Sequence, residues 1–541
     1  MRELLCTTGH NSSVILLEDG KVQWGYETER LTGIKSDSRW PLEHLERWGQ
    51  PVGKIDVAYV THWAPDGQLS SMSAKHYDPV PHLEGVPIVT LNSNPEAQRT
   101  HHDAHAYAAF AYAGSEFPKK GSYCFVIDGF GICGEHLSVY SLESGKPVLV
   151  KRVHGYDTSL GLWYQYATAF LGLKMHEDEY KLLGYEVHVP SDLWPTIQKY
   201  AVHTAYDFLD RMSKSPFGSK YDPLYDVNAL KNVKEEVFKQ LLKAAKNFGV
   251  EDSTSFEGRA ILACYVQAVL ERVVLQLVRD YSPTHLVVSG GVFYNVKLNK
   301  LLLDNIRGYL CAYPLAGDQG NALGLYAYTH PEWSFPRSLC WGRRSLYEVT
   351  GVPNLHTGNE GEVYDVVARQ LRLKGFVNLV RDSMEFGPRA LCNTSTLALP
   401  TRENVARINR MNDRNTVMPM APVMTETKYV ELFQGFDRVW KSQLHMIVAM
   451  EYVTAPPDHL MGVAHEYRWP YSHCTGRPQV IDRNDHFMNA LLGEFGGVLI
   501  NTSFNYHGQP IALGVDSIVK NHMMMLEREP DIHTCIIRND L

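Results

Sequence analysis

The chain has 541 residues, 60 acidic and 52 basic, for a net charge of -8, and 44% of its residues are hydrophobic. That length allows about two to four domains, and the core-forming, mildly acidic composition argues against a disordered or polyanion-coating protein, leaving room only for a local basic groove. Nine scattered cysteines without a CxxC pair exclude a disulfide framework and a structural zinc site, and point to reduced thiols in a cytoplasm.

The opening MRELLCTTGHNSS turns polar too early for a signal peptide, and no uninterrupted apolar run reaches the roughly 20 residues of a membrane span. Leu4 to Thr8 reads as a strand ending at Gly9-His10-Asn11, followed by a hairpin of Val14 to Leu17 and Val22 to Tyr26. A ribonuclease-H-like half begins this way, and its first turn can offer backbone N–H donors to a phosphate or carbamoyl group. Gly9-His10 also reads as a plain strand-end turn. Glu29, Arg30 and Lys35 either line a ligand cleft or form a charged surface.

Thr100-His101-His102-Asp103-Ala104-His105-Ala106 opens an alanine-rich helix. There His101 and His105 share one face at i,i+4, the spacing at which two imidazoles grip one metal ion. An isolated HxxxH is more often an ordinary capped helix. Here, however, the strand Ser122 to Ile127 runs into Asp128-Gly129-Phe130-Gly131, and Pro314 to Gly320 sets Asp318 at a second turn. Two His and two Asp make a mixed nitrogen–oxygen site suited to a first-row transition metal.

Thr168 to Leu173 lies in a helix whose aromatic stripe belongs to the core. Glu177 to Gly184, with Glu179 and Lys181, is either a solvated charge run or part of a site. Residues 200–247 form a lysine-rich helical insertion or lid. Phe256 to Tyr281 is a long core helix. The strand at His285 to Val288 then enters Ser289-Gly290-Gly291-Val292 and a helix carrying Asn295 and Asn299, an arrangement that serves as a phosphate cradle or a tight turn.

Pro331 to Pro353 reads as an interdomain linker, and a second mixed α/β domain follows it. In that domain Gly375 to Arg381 is a strand, and Met384 to Leu391 is a loop into a short helix. Arg389, Arg414 and Arg477, near Ser503 and Asn505, suit a phosphorylated ligand because guanidinium is bidentate and always charged. Surface ion pairing is the plainer alternative.

Taken together, HHDAHA, DGFG, SGGVFYNVKLN, GDQGNALG, MEFGPRAL, TGRPQV and NTSFNYHGQPI resemble the O-carbamoyltransferase family, which includes nodulation and antibiotic-tailoring enzymes. The likeness spans nearly the whole chain, weakening over residues 200–247. It implies an α/β protein of two domains. Residues 1–345 would be an actin-like ATPase, a duplicated ribonuclease-H-like domain, and 346–541 a YrdC-like domain making carbamoyl adenylate from carbamoyl phosphate and ATP. It further implies a divalent metal, iron ahead of magnesium or manganese, at His101, His105, Asp128 and Asp318, with His10 as general base toward an acceptor hydroxyl. Lys35 and Arg389 join His10 as expected catalytic residues. Gly129, Glu179, Lys181, Gly290, Gly291, Asn295, Arg389, Arg414, Arg477, Ser503 and Asn505 are the expected nucleotide and phosphate contacts.

The second domain departs from the family pattern. Asn412 stands where the family has a lysine, Cys392 and Thr394 interrupt its GPRALG-N-R motif, and His507-Gly508-Gln509 replaces R-G-E. Either Arg407 or Arg410 substitutes for the lysine, or adenylate formation is altered. The acceptor is either a hydroxymethyl-pyrimidine in DNA, such as 5-hydroxymethylcytosine, or a small hydroxylated metabolite. In the DNA case Lys214, Lys220, Lys231 and Lys234 would be the phosphate contacts. An ATP-binding regulator of the same fold without turnover is the competing reading. The expected setting is the cytoplasm of a bacterium or of a virus-infected cell, without a membrane partner and with a homodimer allowed.

Overall fold

The computed structural model describes residues 1–9, 11–45, 52–61, 82–91, 98–131, 134–214, 227–414, 416–466 and 474–539. The first sheet contains β1 (Arg2–Thr7), β2 (Ser13–Glu18), β3 (Lys21–Glu27), β4 (Val57–Thr61) and β5 (Ile88–Thr90), in the order β3-β2-β1-β4-β5. β1, β2 and β3 are antiparallel, whereas β4 and β5 join in parallel. The second sheet repeats this plan with β6 (Ser122–Ile127), β7 (Glu135–Ser141), β8 (Val148–His154), β9 (His285–Ser289) and β10 (Leu310–Ala312), in the order β8-β7-β6-β9-β10. Again three strands are antiparallel and two parallel. This repeat is the duplicated ribonuclease-H-like plan of the actin-like ATPases.

Both central strands are buried runs, Leu4-Leu5-Cys6 in β1 and Cys124 to Ile127 in β6, because each sheet is covered on both faces. Between the sheets the helices His101–Ala113 and Asn321–Thr329 cross very closely. A Cβ on Gly324 would lie 1.8 Å from the Ala104 carbonyl oxygen, so only glycine permits the crossing. That closeness carries the Asp318 turn onto the histidines.

After β11 (Cys340–Gly342), a seven-stranded mixed sheet forms from β12 (Leu355–Gly358), β13 (Phe376–Val380), β15 (Thr394–Ala398), β16 (Ala421–Met424), β19 (Gln479–Val480), β20 (Val498–Ser503) and β21 (Thr534–Ile537). Its order is β12-β21-β13-β15-β20-β16-β19. Two short ribbons complete the strands: β14 (Met384–Glu385) pairs with β11, and β17 (Met450–Glu451) with β18 (Thr475–Gly476). The α/β, two-part architecture is therefore present.

Two local expectations change. The stretch Pro331 to Pro353 is not a slack linker. It contributes β11, and the buried Arg344 donates to the carbonyls of Asp382, Arg381, Asn393 and Ala512, locking the segment into the second part. Met384 to Leu391 does not lead into a helix. Glu385 Oε1 accepts the N–H groups of Leu391, Asn393 and Thr394 at 2.7, 2.8 and 2.9 Å, and that carboxylate curls the loop instead.

The helix Phe256–Tyr281 is the long core helix expected: length and composition would let it cross a membrane, but Gln267, Glu271 and Arg272 interrupt its apolar run and it is mostly buried within the core. The insertion helices Trp194–Lys214 and Val227–Phe248 bury Ile197, Ala201, Phe208 and Leu241 in the same core.

Candidate active site

Thr100 caps the His101–Ala113 helix with a capping box, its hydroxyl accepting from the Asp103 N–H while Asp103 Oδ2 accepts from the Thr100 N–H at 3.0 Å. This fixes the first turn and so the facing of His101 and His105. Their Nε2 atoms meet the carboxylates of Asp128 and Asp318, and the ligand atoms of all four residues lie within 4.8 Å of one another. His101 Nε2 is 3.1 Å from Asp128 Oδ2 and 3.4 Å from Asp318 Oδ1. The far ring nitrogens are held too, His101 Nδ1 by Asn321 at 3.2 Å and His105 Nδ1 by Ser289 at 3.4 Å.

Two imidazoles and two carboxylates, oriented from behind, fit a first-row divalent ion. Burial opposes charge on His105, but Asp128 and Asp318 overcome it and lift the imidazole to about 9. Burial likewise works against the Asp128 carboxylate, yet the two histidines hold it well below the usual range.

The glycine turn after β9 serves this carboxylate. Gly291 N–H donates to Asp128 Oδ1 at 3.0 Å. The double glycine does not open the following helix directly, as the sequence implied. A 3-10 turn, Gly291–Tyr294, comes between, and Asn295 caps the helix Val296–Asn305 by accepting from Leu298 N–H. Asn299 lies buried inside it, donating to the carbonyls of Phe293 and Ile447. Gly290 has φ +95°, and a Cβ there would stand 2.3 Å from the Ile127 carbonyl oxygen. Gly290→Ala is expected to cost on the order of 2–4 kcal/mol, read as a lowered thermal midpoint.

A cleft of about 430 Å³ runs from this cluster to the second part of the molecule. Its lining includes Asp128, Gly129, Gly291, Asn295 and Asp318 from the first part of the chain and Arg389, Ser503 and Asn505 from the second, together with Lys35, Glu179 and Tyr180. Arg414 stands behind Ser503 and Asn505, donating to Ser503 Oγ at 3.0 Å and Asn505 Oδ1 at 3.1 Å. Arg477 lies close enough to Arg389 to repel it. Burial pulls the pKa of all three guanidiniums down, Arg477 furthest, and the Tyr180 phenol is within electrostatic reach of each. Among the described residues no carboxylate pairs with any of the three. Three converging cations without a counter-charge suit a phosphorylated ligand.

The remaining expected residues divide. Lys35 is exposed at the cleft mouth, whereas Arg30 is buried against Glu27, which also accepts the Gly387 N–H and so ties the first hairpin to the MEFGPRAL loop. Lys181 is buried and paired with Asp178 at 2.8 Å, away from the cleft lining. His10 falls outside the described residues. Both proposed substitutes for the family lysine face Glu529: Arg407 pairs with it at 3.1 Å over the Phe376 ring, and Arg410 lies 3.9 Å from it. Asn412 itself is fully buried with both amide atoms unpartnered. Tyr180, Ser289, Tyr294 and Asn321 were not singled out beforehand. Only Asn321, three residues beyond Asp318 in GDQGN, carried a spacing that pointed to it.

Beneath the cleft, Asn295 Nδ2 donates to Gln267 Oε1 and Gln267 Nε2 to Glu271 Oε1, each at 2.8 Å. Burial raises the Glu271 carboxyl from 4.5 to about 7, with the Gln267 hydrogen bond opposing. The native state thus holds a proton that the unfolded chain has lost. The associated stability is complete below pH 4.5 and disappears as pH rises through 7. Glu271→Gln is expected to raise the unfolding free energy by about 1–3 kcal/mol at pH 8 and leave it nearly unchanged at pH 4.5, measured by denaturant titration.

The family model "Carbamoyltransferase N-terminus" matches residues 66–326 and "Carbamoyltransferase C-terminus" matches residues 368–532. The nodulation protein NolNO of Sinorhizobium fredii is 26% identical over 94% of this chain and 75% of its own length. The 3'-hydroxymethylcephem-O-carbamoyltransferase of Amycolatopsis lactamdurans is 28% identical over 55% of this chain and 58% of its own. Among solved structures, the activator of the 2-hydroxyisocaproyl-CoA dehydratase from Clostridium difficile aligns at TM-score 0.31 and 15% identity, covering 61% of this chain and 95% of that one. The chain belongs to the carbamoyltransferase family and is an enzyme of that class.

Proposed function

We propose that this carbamoyltransferase makes carbamoyl adenylate at the arginine-lined end of its cleft and delivers the carbamoyl group to an acceptor hydroxyl at the metal-lined end. One observation carries the reading: a single cleft is lined both by Asp128 and Asp318 and by Arg389, Ser503 and Asn505. An activated carbamoyl group then need not enter bulk water. In balance, carbamoyl phosphate, ATP and one water give carbamoyl adenylate, pyrophosphate and phosphate. The acceptor oxygen then bonds to the carbamoyl carbon, AMP leaves, and the hydroxyl proton passes to a base, the role expected of His10.

His101, His105, Asp128 and Asp318 would hold a divalent ion, with iron the expected one, whose chemistry there is Lewis-acid polarisation of an oxygen. Arg389, Arg414 and Arg477 neutralise phosphate charge, and Arg414 also orients Ser503 and Asn505. Gly129, Gly291 and Asn295 line the same cleft beside Asp128 and Asp318.

A small hydroxylated metabolite is the favoured acceptor, of the class that the hydroxymethylcephem enzyme's name indicates. The insertion helices that would contact DNA are basic, with five lysines against two glutamates in Val227–Phe248, but part of that charge is paired internally: Lys214 with Asp210, Arg211 with Asp207 and Lys239 with Glu236. Lys231 is exposed, Lys234 lies over the Phe238 ring, and Lys220 is outside the described residues. None of the described residues from 194 to 248 lines the cleft.

The test supplies protein with ferrous iron, ATP, carbamoyl phosphate, hydroxylated metabolites and hydroxymethylcytosine DNA. Pyrophosphate release and carbamoylated products are followed by mass spectrometry. A carbamoylated metabolite with untouched DNA is the expected result. Carbamoylated nucleosides would replace the metabolite with DNA, and no carbamoyl-phosphate-dependent pyrophosphate would refute the adenylate.

A further inference from the structure

Behind the metal-site histidines lies a buried charged cluster that no step of the proposed reaction uses. Glu135, at the start of β7 and fully buried, accepts the His102 N–H on Oε1 at 3.0 Å and the Thr100 hydroxyl on Oε2 at 3.2 Å. A carboxylate thus satisfies two donors of the helix start, where the helix dipole favours negative charge. Asp103, in the same first turn, closes the capping box with Oδ2 and offers Oδ1 to Tyr140 Oη at 2.7 Å.

Arg152 on β8 connects the two carboxylates. Its Nη2 donates to Asp103 Oδ1 at 2.6 Å and its Nε lies 3.1 Å from Glu135 Oε2. Nη2 also donates to Tyr140 Oη at 3.0 Å. Arg152 is 3% exposed, and no other guanidinium or ammonium among the described residues pairs with either carboxylate. Ser138, its cross-strand neighbour, contacts His102 Nδ1 at 2.8 Å.

We propose that Arg152 is a positioning residue for the metal site. It bridges Asp103 and Glu135, clamps the first turn of the His101–Ala113 helix to the β7–β8 hairpin, and thereby sets the direction of the His101 and His105 imidazoles. A lysine could keep the charge, but it has no fork with which to reach both carboxylates from one rigid plane. The clamp operates through outer hydrogen bonds on the turn that carries the ligands, where such partners alter metal affinity by about 10–100-fold. The inference rests on the four-residue cluster being a metal site and is independent of which reaction the enzyme performs.

The test is Co²⁺ binding to the full chain, followed by visible absorption and without carbamoyl substrates. Arg152→Lys is expected to weaken Co²⁺ binding about 10-fold and to change the position or intensity of the visible bands, while thermal unfolding of the metal-free protein stays close to wild type. Glu135→Gln keeps an acceptor for the His102 N–H but removes the charge that Arg152 answers, and it is expected to weaken binding similarly. It supplies the comparison should Arg152→Lys fail to fold. Wild-type affinity and spectrum in a folded variant would overturn the positioning role. A wild-type protein that binds no Co²⁺ would overturn the metal premise and with it the positioning role, whatever reaction the enzyme performs.

Discussion

His105→Ala is expected to lower acceptor carbamoylation by about 10³-fold, roughly 4 kcal/mol of transition-state stabilisation, while carbamoyl-phosphate-dependent pyrophosphate release continues. The separation follows from the cleft. His105 supplies one of four ligand atoms lying within 4.8 Å, the cluster to which the proposed reaction assigns transfer, whereas Arg389 and Ser503 are assigned to the adenylate. Removing it also leaves Asp128 and Asp318 facing each other with one imidazole fewer, so the two carboxylates repel. Measuring pyrophosphate and carbamoylated acceptor in the same reaction checks the split, with circular dichroism confirming the fold. Loss of both products together would mean that the metal end also serves adenylate formation. Transfer at the wild-type rate would remove the metal from the reaction.

Arg414→Ala is expected to have the opposite effect, with pyrophosphate release falling by about 10²–10³-fold and transfer persisting from adenylate supplied ready-made. Arg414 holds Thr502, Ser503 and Asn505 at once, so its loss removes a cation and also frees the residues it orients. Arg414→Lys should restore little, because a single ammonium cannot make the forked contacts. Pyrophosphate release in Arg414→Ala within a few-fold of wild type would show that Arg389 and Arg477 suffice.

Much of this was visible in the primary structure. The capped helix at Thr100, the buried strand ending at Asp128 and the long helix from Phe256 to Tyr281 all appear as read, since each depends on local periodicity and capping. Lys181 was harder: from sequence its charge could face solvent or ligand, and in the fold it is spent on Asp178. Arg407 and Arg410 were plausible lysine substitutes by nearness in the chain, yet both face Glu529, more than a hundred residues later.

The sequence by itself pointed to the four candidate metal ligands, because i,i+4 spacing and strand-end turns are local properties of the chain, while the family and the repeated half-domain plan followed from the resemblance of motifs spread along it. Only the tertiary structure decided that Asp128, Asp318 and Arg389 line one cleft, with Arg414 behind Ser503 and Asn505 and Arg477 near Arg389. It also decided that Asn412 is buried, and that Arg152 reaches from a distant hairpin to the helix start. Those facts depend on contacts between residues tens to hundreds of positions apart. Such contacts form when apolar burial brings sheets and helices together, and no window of local sequence encodes them.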